Sequence, residues 1–258
     1  MLNIYPYKSR RRFETTGRSG GINVDQTWTV KTQAIGKSQW AESPYLLANE
    51  WICANIAQFL RLPVPPFAIV QKKNRRTAMF TSYSYDGDIK PDDVIPQKLY
   101  DNFPAACAGI VVFDMLVANC DRGKQNLQVD VPANPHAFYL IDHERALFYI
   151  YAKEGIKRLE SRDDRLGVTD GDSSRNEWHC LVELIDDAQL FIPWLDKVHD
   201  MPAWFIDDIC DEVGDIALTR PECEAVKSFL KERRHKLDHL ITTHKTRFPL
   251  INNWPPIF

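Results

Sequence analysis

The 258-residue chain has no run of 18 apolar residues, which excludes a membrane-spanning helix. Charge enters at Lys8 before any apolar leader could form, so no secretory signal is expected. Six cysteines are present (Cys53, Cys107, Cys120, Cys180, Cys210 and Cys223), but none forms a C-x-x-C pair. A chain of this length does not need covalent staples, so free thiols in a reducing, cytoplasmic setting are expected and a structural zinc site is not. A basic excess is also missing: the formal net charge is -3. That argues against a general nucleic-acid binder, and the short basic run Lys8–Arg12 reads as a solvated segment. Glycine is scarce, at 11 residues, and nowhere takes the G-x-G-x-x-G spacing of a regular phosphate loop.

What is present is an ordinary globular balance, 44% hydrophobic and 26% charged. Thr27–Thr32 is rich in β-branched and aromatic residues and reads as a strand. Ser43-Pro44 reads as a helix start, with an apolar stripe from Leu46 to Leu60 that Pro63, Pro65 and Pro66 stop. Phe67–Gln71 and Thr77–Tyr83 read as strands around a basic turn. The pattern breaks at Tyr85-Asp86-Gly87-Asp88, which places a lobe boundary there: 1–86 and 87–258.

Beyond it, Pro104 opens a helix apolar on more than one face, hence buried. Two short strands follow, Leu127–Val131 and Ala137–Ile141. Residues 151–175 suit a mobile loop. The remainder reads as helices, the last from Pro221 to about His244, with Trp178, Trp194 and Trp204 in the core. The expected class is α+β in two lobes: a small, mainly β N-lobe with one helix and a larger, mainly α C-lobe.

The informative segment ends the buried helix and delivers Asp121 and Asn126 on a short loop. A hairpin then returns with Leu140-Ile141-Asp142-His143. Hard oxygen donors of this kind suit magnesium, and a further carboxylate can take or orient a hydroxyl proton. Asp121 and Asn126 have the D-x-x-x-x-N spacing of a kinase catalytic loop, and Asp142 follows a hairpin as the kinase metal-binding aspartate does.

On these motifs the chain resembles the atypical kinases related to HipA and the phosphoinositide 4-kinases, most closely the short bacterial HipA-like kinase-domain proteins. Gly20-Gly21, Val30-Lys31, Asn49-Glu50 and Leu62-Pro63-Val64-Pro65 occur in the order that family shows. The resemblance implies ATP and Mg2+ as cofactors. It makes Asp121 the catalytic base or hydroxyl-orienting residue and gives magnesium to Asn126 and Asp142. Lys31 would contact the α- and β-phosphates, held by an ion pair to Glu50. Ser19, Gly20 and Gly21 would face the phosphates, with Ser19 also a candidate phosphorylation site. The stretch from Phe80 to Asp86, including Ser82, would form the adenine hinge. Relatives often carry histidine where this chain has Gly123, which leaves Lys124 as the cation expected nearest the transferring phosphate.

The implied function is a protein serine/threonine kinase of a bacterial toxin–antitoxin, stress or defence system, with a protein substrate and an antitoxin or regulatory partner. Two alternatives stay open: a weak or inactive kinase-fold binding module, motivated by Gly123 and the irregular glycines, and a kinase of a lipid or small-molecule acceptor. Single residues have plainer readings. Asp114 is expected to be structural, bonding the catalytic-loop backbone. His143 is expected to bond the loop or a carboxylate. His179-Cys180 is expected to be core packing rather than a nucleophile pair, since adjacent helical residues diverge.

Overall fold

The computed structural model describes residues 7–12, 28–32, 34–71, 78–82, 93–150, 153–175 and 178–255, with backbone alone for 7–12 and 28–32. The expected strand at Thr27–Thr32 is β2 (Trp28–Thr32), which pairs antiparallel with β1 (Tyr7–Arg12) as a separate ribbon. A second sheet has the order β3-β5-β4, from β3 (Ile35–Lys37), β4 (Phe67–Gln71) and β5 (Ala78–Ser82). Paired residues share a face. Lys37 opposite Phe80 and Ile35 opposite Ser82 therefore turn the same way, and all four line one cleft.

Helix α1 (Leu46–Phe59) begins later than the Ser43-Pro44 signal suggests. Ser43 closes a turn, its amide donating to the Trp40 carbonyl at 2.9 Å, and does not cap the helix. Proline cannot be followed back into a helix by its predecessor without strain, and here the chain spends Ser43-Pro44 on that turn. Arg61, at φ 62, and Pro63 end the helix as the prolines suggested. Ten of the fourteen α1 residues are buried, Asn49 and Glu50 included, because the helix serves two surfaces. Trp51 meets Phe67 of the sheet, with ring centroids 5.6 Å apart. Phe59 meets Phe205 of α6 (Ala203–Ala217) at 4.8 Å.

Helices α2 (Pro96–Asn102) and α3 (Pro104–Leu116) open the second part. From Cys107 to Leu116 every residue of α3 is buried, as its all-round apolar pattern requires. Next comes a hairpin of β6 (Leu127–Val129) and β7 (Phe138–Leu140), each shorter than the sequence pattern implied. Helix α4 (Gly155–Glu160) precedes α5 (Ile192–His199), α6 and α7 (Arg220–Thr243). Thr219 and Glu222 form a reciprocal capping box that starts α7 where the sequence signalled it. No single helix among the described residues is long and apolar enough to cross a membrane.

Two expectations are corrected. Residues 153–175 are pinned rather than loose. They contain α4, and the fully buried Arg233 of α7 donates to the carbonyls of Met115, Arg162 and Arg165 at 2.6–2.8 Å, and to those of Asp163 and Leu166 at 3.3 Å. Burial lowers the Arg233 pKa to about 10, which still leaves it charged at neutral pH. Charge-rich sequence concealed this because the anchor lies some 70 residues downstream. Of the three tryptophans, Trp194 packs on the core, its indole against Gly109 at a distance no side chain there would allow. Trp178 and Trp204 are exposed.

Replacing Arg233 with Met removes the donor from five carbonyls. The expected loss is about 3 kcal/mol of stability in urea titration, with faster limited proteolysis between residues 160 and 170. Unchanged protection would show that other contacts hold that segment.

Candidate active site

The site is assembled around the end of α3. Asp114, on its last turn, is fully buried and accepts both arms of a bidentate pair from Arg122: Nε to Oδ2 at 2.8 Å and Nη2 to Oδ1 at 2.9 Å. Asn119 Nδ2 donates to the same carboxylate at 2.8 Å, and His179 Nε2 lies 3.1 Å from it. Burial alone would raise the Asp114 pKa, but Arg122 and then His179 overcome it and hold it low. Asp114 is thus structural, as expected, but it acts on side chains. The backbone bonds come from Arg122, whose Nη1 donates to the carbonyls of Asn126 (3.2 Å) and Ile141 (2.7 Å). His179 is core packing with a bond. Burial pushes the neighbouring Cys180 thiol up to about 12, the opposite of the shift that activates a nucleophile.

That arrangement brings the D-x-x-x-x-N loop and the second aspartate together. Ile141 N donates to the Asn126 carbonyl at 3.1 Å. Asn126 Nδ2 donates to the Asp121 carbonyl at 2.8 Å and lies 3.4 Å from Oδ2 of Asp121. The loop starts through Ala118, at φ 50, and Asp142 sits at φ 61. Left-handed backbone at non-glycine residues costs about 1 kcal/mol each and persists where neighbours impose it. Gly167, at φ +88, packs on Ala118, where an added Cβ would come within 2.8 Å of its Cα.

Facing this loop, Lys37 projects from β3 into a group of carboxylates. Its Nζ is 2.6 Å from Glu50 Oε1, 2.7 Å from Asp142 Oδ1 and 3.7 Å from Glu144 Oε2. The other Glu50 oxygen accepts from the His143 backbone N–H at 3.2 Å, so His143 bonds a carboxylate as expected. Burial opposes charge on both partners. It would lower the Lys37 pKa, yet Glu50 and Asp142 raise it above its ordinary value. It would raise that of Glu50, yet Lys37 and His143 hold it at about 2. The Glu144 carboxyl is raised by burial and then by the Asp142 charge.

The ammonium at Glu50 is therefore that of Lys37, which corrects the expectation for Lys31. Lys31 lies on β2, opposite Ser9 in the separate ribbon, and its side chain is outside the described residues. The signal for Lys37 was the alternation Ile35-Gly36-Lys37, which puts the lysine and one apolar residue on the same strand face. Val30-Lys31 carries the same strand signal, so local sequence does not tell the two lysines apart. Lys124 is also displaced from its expected place: it is half exposed and 3.5 Å from Asp93. Among the described residues, Arg145 lies near Asp121, with Nη1 3.4 Å from Oδ2. Neither Arg145 nor Glu144 was singled out in the sequence. Ser19, Gly20, Gly21, residues 83–86 and the lobe boundary lie outside the described residues.

A cleft of about 180 Å³ opens above Lys37. Ile35, Phe67, Phe80, Val64 and Leu140 give it an apolar wall, while Lys37, Glu50 and Asp142 form its polar end. Phe80 and Ser82 both line it, where the adenine hinge was expected. A flat apolar ring would suit the apolar wall, whereas the carboxylate-rich polar end would accept a polyanion only together with a hard cation. The donors at the polar end suit a hard cation, being oxygens throughout. Carboxylate oxygens of Glu50, Asp142 and Glu144 lie within 4.8 Å of one another. Asn126 commits its amide nitrogen to Asp121, which leaves Oδ1 as its donor atom toward a metal.

The fold is shared with the crystal structure of a Helicobacter pylori proinflammatory kinase, CtkA. That likeness has a TM-score of 0.54 over 96% of this chain and 97% of that one, at 13% identity. Among curated proteins, none matches the sequence. Residues 22–157, which carry β3, α1, both aspartates and Asn126, match the HipA-like kinase family. Since that match spans more than half of the chain, the protein belongs to the HipA-like kinases.

Proposed function

We propose that the protein is an ATP- and Mg2+-dependent phosphotransferase that phosphorylates a serine or threonine hydroxyl on a protein substrate. The observation that carries this reading is Lys37, held between Glu50 and Asp142 at the polar end of an apolar cleft. The catalytic-loop residues Asp121 and Asn126 are bonded to each other, and Asn126 is bonded to the strand that ends in Asp142. Membership of the HipA-like kinases supports the same reading. A toxin–antitoxin, stress or defence setting with a regulatory protein partner extends it by family likeness alone.

In this mechanism Lys37 leaves Asp142 and Glu144 to bind the α- and β-phosphates, while its pair with Glu50 keeps the ammonium oriented. Asp142 and Asn126 would hold magnesium, which when bound would neutralise charge on the phosphate oxygens. Asp121 accepts the proton of the acceptor hydroxyl as its oxygen bonds to the γ-phosphorus and the bond to the ADP oxygen breaks. The apolar walls exclude water and strengthen each of these interactions.

Three outcomes test the reading. Asp121→Ala and Asp142→Ala should each abolish γ-phosphate transfer while leaving the thermal midpoint within a few degrees of wild type; retained transfer in both removes the mechanism. Lys37→Met should cut phosphotransfer by about 100-fold or more, whereas Lys31→Met should stay within a few-fold of wild type in the same radiolabel assay. The reverse pattern would return the phosphate lysine to β2.

The third outcome concerns pH. Glu50 has a folded pKa of about 2 against an ordinary 4.5, so its contribution is present above 4.5 and is lost as pH falls toward 2. Glu50→Gln should lower stability at pH 7 by about 2–3 kcal/mol. It should also flatten the acid dependence between pH 4.5 and 2 in urea titrations. A parallel acid limb in both proteins would show that the pair does not form in solution.

A further inference from the structure

The cleft carries polar atoms at two places. Lys37, Glu50, Asp142 and His143 gather at one end, joined by the two Lys37 pairs and by the His143 amide on Glu50. Away from that end, two of the described lining residues bring polar side chains, Ser82 and Gln128. Gln128 is the middle residue of β6, half-buried between the buried Leu127 and Val129. The amides of Asn119 and Asn126 are spent on Asp114 and Asp121. That of Gln128 has no hydrogen-bond partner among the described residues.

The hairpin ladder fixes where this amide stands. At the polar end Ile141 donates to the Asn126 carbonyl. Leu127 is opposite Leu140, and Gln128 is opposite Tyr139, one step further on. Two residues of strand carry Gln128 about 7 Å beyond Asn126, away from Asp142. Val64, Pro65 and Phe67 border both the cleft and a second hollow that Tyr139 lines. Gln128 therefore stands at that end of the cleft, and a nucleotide with its phosphates at Lys37 lays its base there.

A base that covers the amide also strips water from it, and an amide left without a partner opposes binding. The ligand that fits offers a donor beside an acceptor. Adenine does so, with its 6-amino group next to a ring nitrogen, and a glutamine amide pairs with both. Ser82 does not discriminate in this way, since a hydroxyl either donates or accepts.

We propose that Gln128 reads the nucleobase: its amide oxygen accepts from the adenine 6-amino group, and its NH2 donates to the adjoining ring nitrogen. The inference rests on the proposed function and goes beyond it, because it assigns the choice of adenine to one side chain of the catalytic hairpin.

Calorimetry on the full chain tests this without turnover, using three magnesium diphosphates: ADP, 2′-deoxy-ADP and purine riboside diphosphate, which lacks the 6-amino group. Wild type should bind purine riboside diphosphate about 10-fold more weakly than ADP. Gln128→Met keeps the length of the side chain and removes the amide. It should weaken ADP and 2′-deoxy-ADP by about 10-fold each and leave purine riboside diphosphate within about twofold of wild type, at an unchanged thermal midpoint. Unchanged ADP affinity, or equal weakening of all three ligands, overturns the proposal. A loss for ADP and purine riboside diphosphate that spares 2′-deoxy-ADP also overturns it, by moving the contact to the ribose. Should Gln128→Met prove unstable, Gln128→Leu carries the same comparison. A wild-type protein that shows this selectivity yet transfers no phosphate from ATP refutes the proposed reaction and leaves the contact standing. Binding of none of the three by wild type overturns both.

Discussion

The geometry of the site depends on one buried ion pair, Asp114 with Arg122. Neither side chain is exposed. Taking two charges out of water costs several kcal/mol per ion, so such a pair is a poor source of net stability. What it supplies is direction. The carboxylate is filled by Arg122, Asn119 and His179, and the guanidinium reaches on to the carbonyls of Asn126 and Ile141. The loop and the strand end, already joined by the β6–β7 ladder and the Ile141 amide, are thereby held in one register on their inner side. An apolar pair of equal volume would pack as well and would fix neither carbonyl.

The same constraint explains the left-handed backbone at Ala118 and Asp142. Each conformation is unfavourable alone, and each sits where the chain turns into or out of the cross-linked segment. Asp142 must turn its carboxylate to Lys37 while Ile141, just before it, keeps its carbonyl on Arg122. Both demands are met only if the backbone reverses sharply between them. Strain is placed at the residue that must present its side chain, and the buried pair holds it there.

Much of this was legible in the sequence. The D-x-x-x-x-N spacing and the aspartate after the hairpin were visible because they are local, set by a helix end and a short turn. The burial of α3 and the capping box of α7 are likewise carried by neighbouring residues. What stayed hidden depends on contacts distant in the chain. Lys37 and Lys31 are both lysines on short strands, and only the sheet order β3-β5-β4, with β2 in another ribbon, assigns Glu50 to Lys37. Arg233 resembled any basic residue on a long helix until its five carbonyl partners were in place. The exposed Trp178 and Trp204 show the converse, since an apolar side chain carries no record of which face of the fold it will occupy.

Helix α1 ties the two parts of the molecule more closely than the sequence division at 86/87 implies. Tyr45, just ahead of it, donates to Glu222 at 2.6 Å, accepts from the Gly155 amide at 3.1 Å, and stacks on Phe148 with centroids 4.8 Å apart. Glu222 belongs to the capping box that starts α7, so the first turn of α1 is fastened to the start of the last helix. Five residues later the same helix presents Glu50 to Lys37. A displacement of α1 would have to break the Tyr45–Phe148 stack and the Tyr45–Glu222 hydrogen bond before it could separate that pair. The C-terminal helices lie beyond residues 22–157, yet through Tyr45 at one end of the site and Arg233 at the other they bear on where its charged groups stand.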